Sequence, residues 1–477
     1  MRAYGRGRRL VAGAIALLAL GACSTAGPQA AGRTDPVAVN ATAGPGTTAS
    51  TSASGSAAAR AAGGASAGTP AGASGSASGS PSASAGAGAA AAAKGGCARP
   101  ANSSPKARVT AVKLPKAVVG YGSEGDTEKL PMAIAARPDG TSWLAWTSTN
   151  GKIYLGRLGC DDRLTGTPAA FTGIDLQDVA ADATGGVLLL TRKGTCGDGP
   201  LCGGESSPCN TMHMVRFDND GELVWERQVT NLTGGRQGYD DGARFVWWYQ
   251  HHGRLATDGK NWAAYFCVAI TVRNGACVDV HQGDRLQVVS ANGKLLGGHA
   301  DAAEVGCSHA WTSRIVWDPR AKRFVAVCAT DNQCRIAQPN PYRTIATGTC
   351  DGSLFAGDVV LAGTGRWVAW SQGGKVNLER FTTGRSNRTV ATGVSAAHPH
   401  LVGYGTGRML LAWQSGSSMA AQAYDSGTGK AVGARLTIGA KDHAYQAFKA
   451  YADGSAAYPA GGSGGTTVKI ARVLPLR

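Results

Sequence analysis

The chain has 477 residues, 43% of them hydrophobic, enough for a sizeable core. Its 47 Lys+Arg against 31 Asp+Glu give a formal charge of +16. Beyond the first residues this surplus is scattered and forms no Lys/Arg block, which excludes a nucleic-acid-gripping arm and leaves a diffuse attraction for anionic polymers or lipid head groups.

In chain order, Arg2, Arg6, Arg8 and Arg9 precede an apolar run from Leu10 to Leu20. A membrane-spanning helix needs roughly 20 such residues, so the shorter run predicts a signal peptide over 1–22. It ends in Leu20-Gly21-Ala22-Cys23, which resembles the lipobox of bacterial lipoproteins. The resemblance implies that Cys23 carries a diacylglycerol, with fatty-acyl chains such as palmitate. That would hold the protein on the extracellular face of the cell membrane. Residues 23–96 are almost entirely Ala, Gly, Ser, Thr and Pro. Such a segment buries too little apolar surface to offset its ordering entropy, so a disordered tether is expected. As a flexible coil it would span on the order of 50 Å. No later apolar segment is long enough to cross a bilayer. Residues 1–96 hold seven of the 47 basic residues and one of the 31 acids, leaving 40 against 30 in the remainder, 97–477. Export removes nucleic acid as a partner, and a monomer tethered to the membrane is the expectation.

From about residue 108 the pattern is all-β, with short alternating segments divided by Gly, Asn and Asp turns. "DGTSWLAWTSTNGKIYLGRL" (139–158) is echoed by "TGRWVAWSQGGKVNLERF" (364–381), "TGRMLLAWQSGSSMAAQAY" (406–424) and "DGSAAYPAGGSGGTTVKIARV" (453–473). Weaker copies start at 184, 258 and 320. That makes seven units, and the undisturbed ones repeat about every 45 residues, which fits four-stranded propeller blades, with extra segments inserted around the second and third. The last unit lacks a fourth strand, and "ARVTAVKLP" (107–115) is a spare one, so a seven-bladed β-propeller closed by its N-terminal strand is predicted. The overall resemblance is to secreted or lipid-anchored β-propeller proteins of bacteria. Trp143, Trp146, Trp262, Trp367, Trp370 and Trp413 fall on second strands and are expected to pack between blades.

The histidines follow this frame. His251 and His252 open the inner strand of the third blade, His309 precedes that of the fourth, and His398 and His400 open that of the sixth. His443 lies just before the seventh, His281 ends an inserted loop (267–284) and His299 lies in the next connection. Only His213, in a third strand, stands apart. Eight of nine thus map to one face, a histidine- and aromatic-rich rim on which loops can build a site. There Trp247, Trp248, Tyr249 and Trp311 offer apolar faces with polar handles to a carbohydrate or cell-wall polymer. The alternatives are a metal-dependent polysaccharide lyase or oxidase on the same face, and a protein-interaction scaffold. For a metal, His252, His281, His309 and Asp284 are candidate ligands to copper or zinc, with Asp301 and Asp358 near the rim. A carboxylate pair for glycan cleavage could draw on Asp178, Asp258, Asp284 and Asp358. No nucleophile elbow lies outside the tether, and no P-loop, H-E-x-x-H helix or dinucleotide fingerprint is present. "FDNDGELVWE" (217–226) reads as a hairpin turn.

Eleven cysteines follow Cys23, and an exported chain favours disulfides. Strand geometry suggests Cys267–Cys277, Cys307–Cys328 and Cys334–Cys350, with Cys328–Cys334 as the competing link.

Overall fold

The computed structural model describes residues 96–477 apart from 121, 122, 125, 126, 129, 174, 194–210, 231–252, 275, 276, 297–311, 331–333, 340, 352, 383–385, 393–395 and 463. For some strand residues, 267–274 and 277–283 among them, only the backbone is described. Among the described residues the strands form seven antiparallel four-stranded sheets and one short two-stranded ribbon, Ser123–Glu124 with Thr127–Glu128. The first strands of blades 1 to 7 are Met132–Ala136, Asp175–Asp182, Arg254–Thr257, Ser313–Asp318, Phe355–Ala362, Ala397–Gly403 and Lys449–Ala450. Each packs against the first strand of the next blade, and the last returns to the first. Ala107–Lys113 pairs with Thr467–Val473 in continuous register, from Ala107↔Val473 to Lys113↔Thr467. The chain is therefore an all-β, seven-bladed propeller closed by its N-terminal strand, as the repeats require, and no long sheet edge is left at the closure.

Burial follows position in the blade. The second strand Ser142–Thr147 (SWLAWT) is buried at every residue, because both of its faces meet neighbouring blades. The outer strand Leu164–Thr172 is exposed at alternate or consecutive positions. Seven apolar clusters fill the seams between blades. One joins Trp367 to Leu411 and Trp413 across blades 5 and 6; another joins Trp146 and Ile134 to Ile470 across blades 1 and 7. All six second-strand tryptophans are buried, each contributing on the order of 4–6 kcal/mol of gross burial energy. Asp218 accepts the backbone N–H of Asp220 and Glu222 at 2.9 Å, closing the hairpin read from "FDNDGELVWE".

The segment 267–284, expected as a loop, is instead the outer part of a regular hairpin. Asn261–Asn274 and Cys277–Ser290 pair along their whole length. This register corrects the first cysteine pairing. Cys267 lies opposite Asp284, and Cys277 opposite Asn274, seven residues farther out. At about 3.3 Å per residue the two are separated by roughly 23 Å of strand, against the roughly 7 Å that a disulfide tolerates. Cys334 does bond Cys350, with Cα atoms 4.9 Å apart, which also removes Cys328–Cys334. Cys328 is disulfide-bonded, and its expected partner Cys307 lies outside the described residues.

An unexpected bridge joins Cys97 to Cys160 across 63 residues of sequence. The Cys97 N–H donates to the Asp139 carbonyl at 2.7 Å. Gly140 beside it has φ +79, and a Cβ there would meet the Cys97 Cβ at 2.9 Å, so only glycine fits this approach. Arg99 continues the attachment by pairing with Asp453 at 2.8 Å. Near by, Arg472 donates Nε to both oxygens of Asp162, at 3.0 and 2.9 Å, with both side chains wholly buried. Arg108 of the closing strand adds an ion pair to Asp162 at 2.8 Å. Burial alone would raise the Asp162 pKa, but these guanidiniums override it and hold the carboxyl below its usual range. One carboxylate thus ties blade 1 to both strands of the closure.

Candidate functional site

The antiparallel order gives the ring two distinct faces. Turns between first and second strands, and between third and fourth, lie on one face. The start of each first strand and the turn between second and third lie on the other. On this second face, blades 5 and 6 and the connection leading into blade 7 enclose a pocket of about 580 Å³. Its lining includes Gln372, His398, Gln414, Lys441, Asp442 and Tyr445.

His398 is placed by a bulge. Ala397 pairs with Gln414 and His400 with Ala412, so three steps on one strand oppose two on the other. The extra residue puts His398 at φ +47, a left-handed conformation that costs a histidine free energy. Behind it, Gly357 of blade 5 comes so close to the bulge that a Cβ would lie 2.2 Å from the Pro399 carbonyl oxygen. The result sets two imidazoles on one carboxylate. Asp442 Oδ1 lies 2.6 Å from His400 Nε2, and Oδ2 lies 3.2 Å from His398 Nδ1. Burial alone would raise the Asp442 pKa, but His400 and then His398 override it and hold the carboxyl at about 2. An ionised carboxylate only accepts, so both imidazole nitrogens donate. His398 Nδ1 is thereby committed, and its Nε2 edge is left on the pocket side of a side chain that is 37% exposed. Phe355 lies between His398 and Tyr445, with ring centroids 5.4 and 6.2 Å away, giving the pocket an aromatic wall. Gln372 is held by its neighbours: its amide donates to the Thr349 carbonyl and to Asp351, at 2.7 and 3.0 Å.

Below the pocket, charged side chains of the inner strands meet one another. Asp358 of blade 5 faces Arg314 Nε of blade 4 at 3.3 Å and Arg254 Nε of blade 3 at 3.5 Å. Arg254 also donates to the carbonyls of Tyr445 and Gln446, at 2.7 and 3.1 Å. Lys449 of blade 7 reaches Asp178 of blade 2 at 2.9 Å. All of these groups come from first strands, the innermost of each blade, or from the connection into blade 7, so they form a charged cluster on the inner side of the ring. Burial first, and then the like charge of Arg254, push the Arg314 pKa down to about 9 against the pull of Asp358. His400 Nδ1 stands 3.9 Å from Asp358, linking pocket and cluster.

The structure brings together His398, His400 and His443 on the expected face. His251, His252, His309, Trp247, Trp248, Tyr249, Trp311, His299, Asp301 and Cys23 lie outside the described residues. His281 stands opposite Ile270 in the long hairpin, not in a loop. Asp284, a candidate metal ligand, is buried and accepts from Tyr265 at 3.1 Å and Ser313 at 3.0 Å. Among the described residues no three His, Cys, Asp or Glu side chains are grouped as a metal would require. Asp258 is off the rim altogether. It caps the N–H groups of Lys260 and Asn261 in a first-to-second turn, on the opposite face. His213, in the third strand of blade 2, pairs with Glu226 at 2.7 Å. Sequence reasoning passed over Asp442, Lys441 and Gln414. Asp442 adjoins His443 in the same pre-strand connection, and that adjacency was the available signal.

No protein-family model matches the sequence, and no curated protein matches it. Solved structures do resemble the chain. The WD40 β-propeller domain of Doa1 is 13% identical, with 75% of this chain and 96% of that chain covered and a TM-score of 0.39. One of two prolyl endopeptidases is 14% identical, covering 71% and 47%, with a TM-score of 0.38. The β-propeller domain of the Trilobed protease from Pyrococcus furiosus is 8% identical, covering 64% and 82%, with a TM-score of 0.34.

Proposed function

We propose that this chain is an exported, lipid-anchored propeller that binds a carbohydrate of the cell envelope in the pocket beside His398. The observation that carries the reading is the makeup of that pocket. Phe355 and Tyr445 form an aromatic wall, and beside it stand an imidazole edge, the Gln414 amide and the Lys441 ammonium. Neither Gln414 nor Lys441 makes a side-chain hydrogen bond or ion pair among the described residues. An apolar face next to a few convergent polar groups suits a sugar ring, whose own faces divide in the same way. The strained backbone at His398 fits a side chain kept for a ligand. Disulfides accord with an oxidising compartment, and among the described residues no helix is long and apolar enough to cross a membrane.

The test is binding of the full-length protein, in detergent, to purified wall polymers and a glycan array. Saturable binding that falls at least tenfold in His398→Ala supports the reading; equal binding by both proteins sinks it. The anchor is tested separately with labelled fatty acid. Cys23→Ser should abolish incorporation, and persistent labelling would disprove the lipobox assignment.

A further inference from the structure

Resting on that reading, the balance of charge in the pocket narrows the ligand. Asp442 is the one carboxylate among the lining residues, and both of its oxygens are taken by His400 and His398. It is therefore withdrawn as an acceptor for sugar hydroxyls, the usual duty of an acid in a neutral-sugar site. Lys441, the adjacent residue, is exposed, lines the pocket and has no ion-pair partner among the described residues. Gln414 contributes an amide with no partner among the described residues, and Ser353 spends its hydroxyl on Asp351 at 2.6 Å. Among the described residues, the groups that remain for a ligand include the Lys441 cation, the Gln414 amide, the His398 imidazole and the Phe355 face. The formal surplus of ten positive charges on residues 97–477 biases the surroundings in the same direction.

We propose that this pocket selects an acidic saccharide, a sugar bearing a carboxylate or phosphate. Lys441 takes the anionic group, Gln414 and His398 Nε2 take ring hydroxyls, and Phe355 takes the apolar face. A hydroxyl donates to His398 Nε2, because Asp442 holds the ring proton on Nδ1. The bulge at Ala397–His400 and the close approach of Gly357 hold the backbone at the imidazole, while the exposed Lys441 next to Asp442 reaches for the anion.

The experiment titrates the full-length protein in detergent with tetragalacturonate, its methyl ester, glucose 6-phosphate, glucose and inorganic phosphate, at low and high salt. The acid form should bind at least tenfold more tightly than its ester, or glucose 6-phosphate more tightly than glucose by the same margin. Whichever pair responds identifies the anion as carboxylate or phosphate. Lys441→Gln, a substitution at an exposed position whose fold is checked by circular dichroism, should erase that preference. If acid and neutral forms bind equally, or Lys441→Gln keeps the preference, the acidic selection is overturned and the saccharide reading stands. If inorganic phosphate competes as well as the sugar phosphate, the site takes the anion alone and the saccharide part is overturned. If no sugar binds in either form, both readings fall together.

Discussion

Asp442 and His400 form a 2.6 Å contact in a place where His400 is 1% exposed and Asp442 scarcely more. Neither group can be replaced without leaving the other buried and unmatched. Asp442→Asn should therefore lower stability by about 3 kcal/mol at neutral pH, the cost of breaking a buried charged contact, read from urea denaturation. Its acid limb gives a sharper test. The folded pKa of about 2 lies below the ordinary aspartate value, so the carboxylate's contribution is full above about pH 4 and is lost as pH falls through about 2. The depression corresponds to about 2 kcal/mol. Wild type should lose that amount relative to Asp442→Asn across this window. Parallel stability curves for the two proteins would contradict it.

The closure depends on a second buried pair. Asp162 has φ +65, a conformation that asparagine tolerates, so Asp162→Asn removes the charge while sparing the backbone. With Arg472 wholly buried against it, we expect a loss of about 3–5 kcal/mol. Arg472→Met combined with Asp162→Asn should lose less than the two single losses added together. Strict additivity would mean that the pair is not coupled.

Gly357 tests the link between blade packing and pocket. Gly357→Ala puts a methyl group against the Pro399 carbonyl, between His398 and His400. Overpacking of this kind costs about 1–3 kcal/mol. Since the strain falls on the bulge, ligand affinity should drop more than that of Gly454→Ala, which lies in a distant turn. Equal effects from both variants would show that the bulge does not position His398.

The bridges can be mapped chemically. Digestion under non-reducing conditions should release Cys97–Cys160 and Cys334–Cys350 as linked peptides. Cys97→Ser with Cys160→Ser should lower stability by about 2–4 kcal/mol, measured by denaturation against the parent. Recovery of a Cys328–Cys334 link would refute the strand assignment of blade 4.

Much of this architecture is legible in the sequence because it rests on local repetition. Trp146, Trp370 and Trp413 recur at matching points of a Gly-turn and strand pattern. The unpaired strand near residue 107 also has an obvious vacancy to fill beside Thr467–Val473. His398 and His400 could be set on a face because each opens a first strand. The alternation of Val268, Ile270 and Val272 marks a strand in blade 3, but the sequence does not show that its pairing runs unbroken from Asn261 to Ser290. Partners that meet only in three dimensions left less trace. Nothing in the spacing of Cys97 and Cys160 reveals that residue 97 folds back under blade 1. The acceptor that unites His398 with His400 comes from 42 residues beyond His400, in the connection that leads from blade 6 into blade 7.

The Cys97–Cys160 bridge also decides how the ring would respond to mechanical tension. Cys97 is fastened on the face of the first-to-second and third-to-fourth turns, opposite the pocket. A pull on the chain preceding it, with a ligand gripped on the far side, is directed along the propeller axis. Without the crosslink that pull would fall on the Arg99–Asp453 pair and the Asn102–Leu476 bridge, and then peel Ala107–Lys113 from Thr467–Val473 one residue pair at a time. With it, the force enters blade 1 covalently at Cys160, and the closing strand lies within a disulfide-closed loop, shielded from traction.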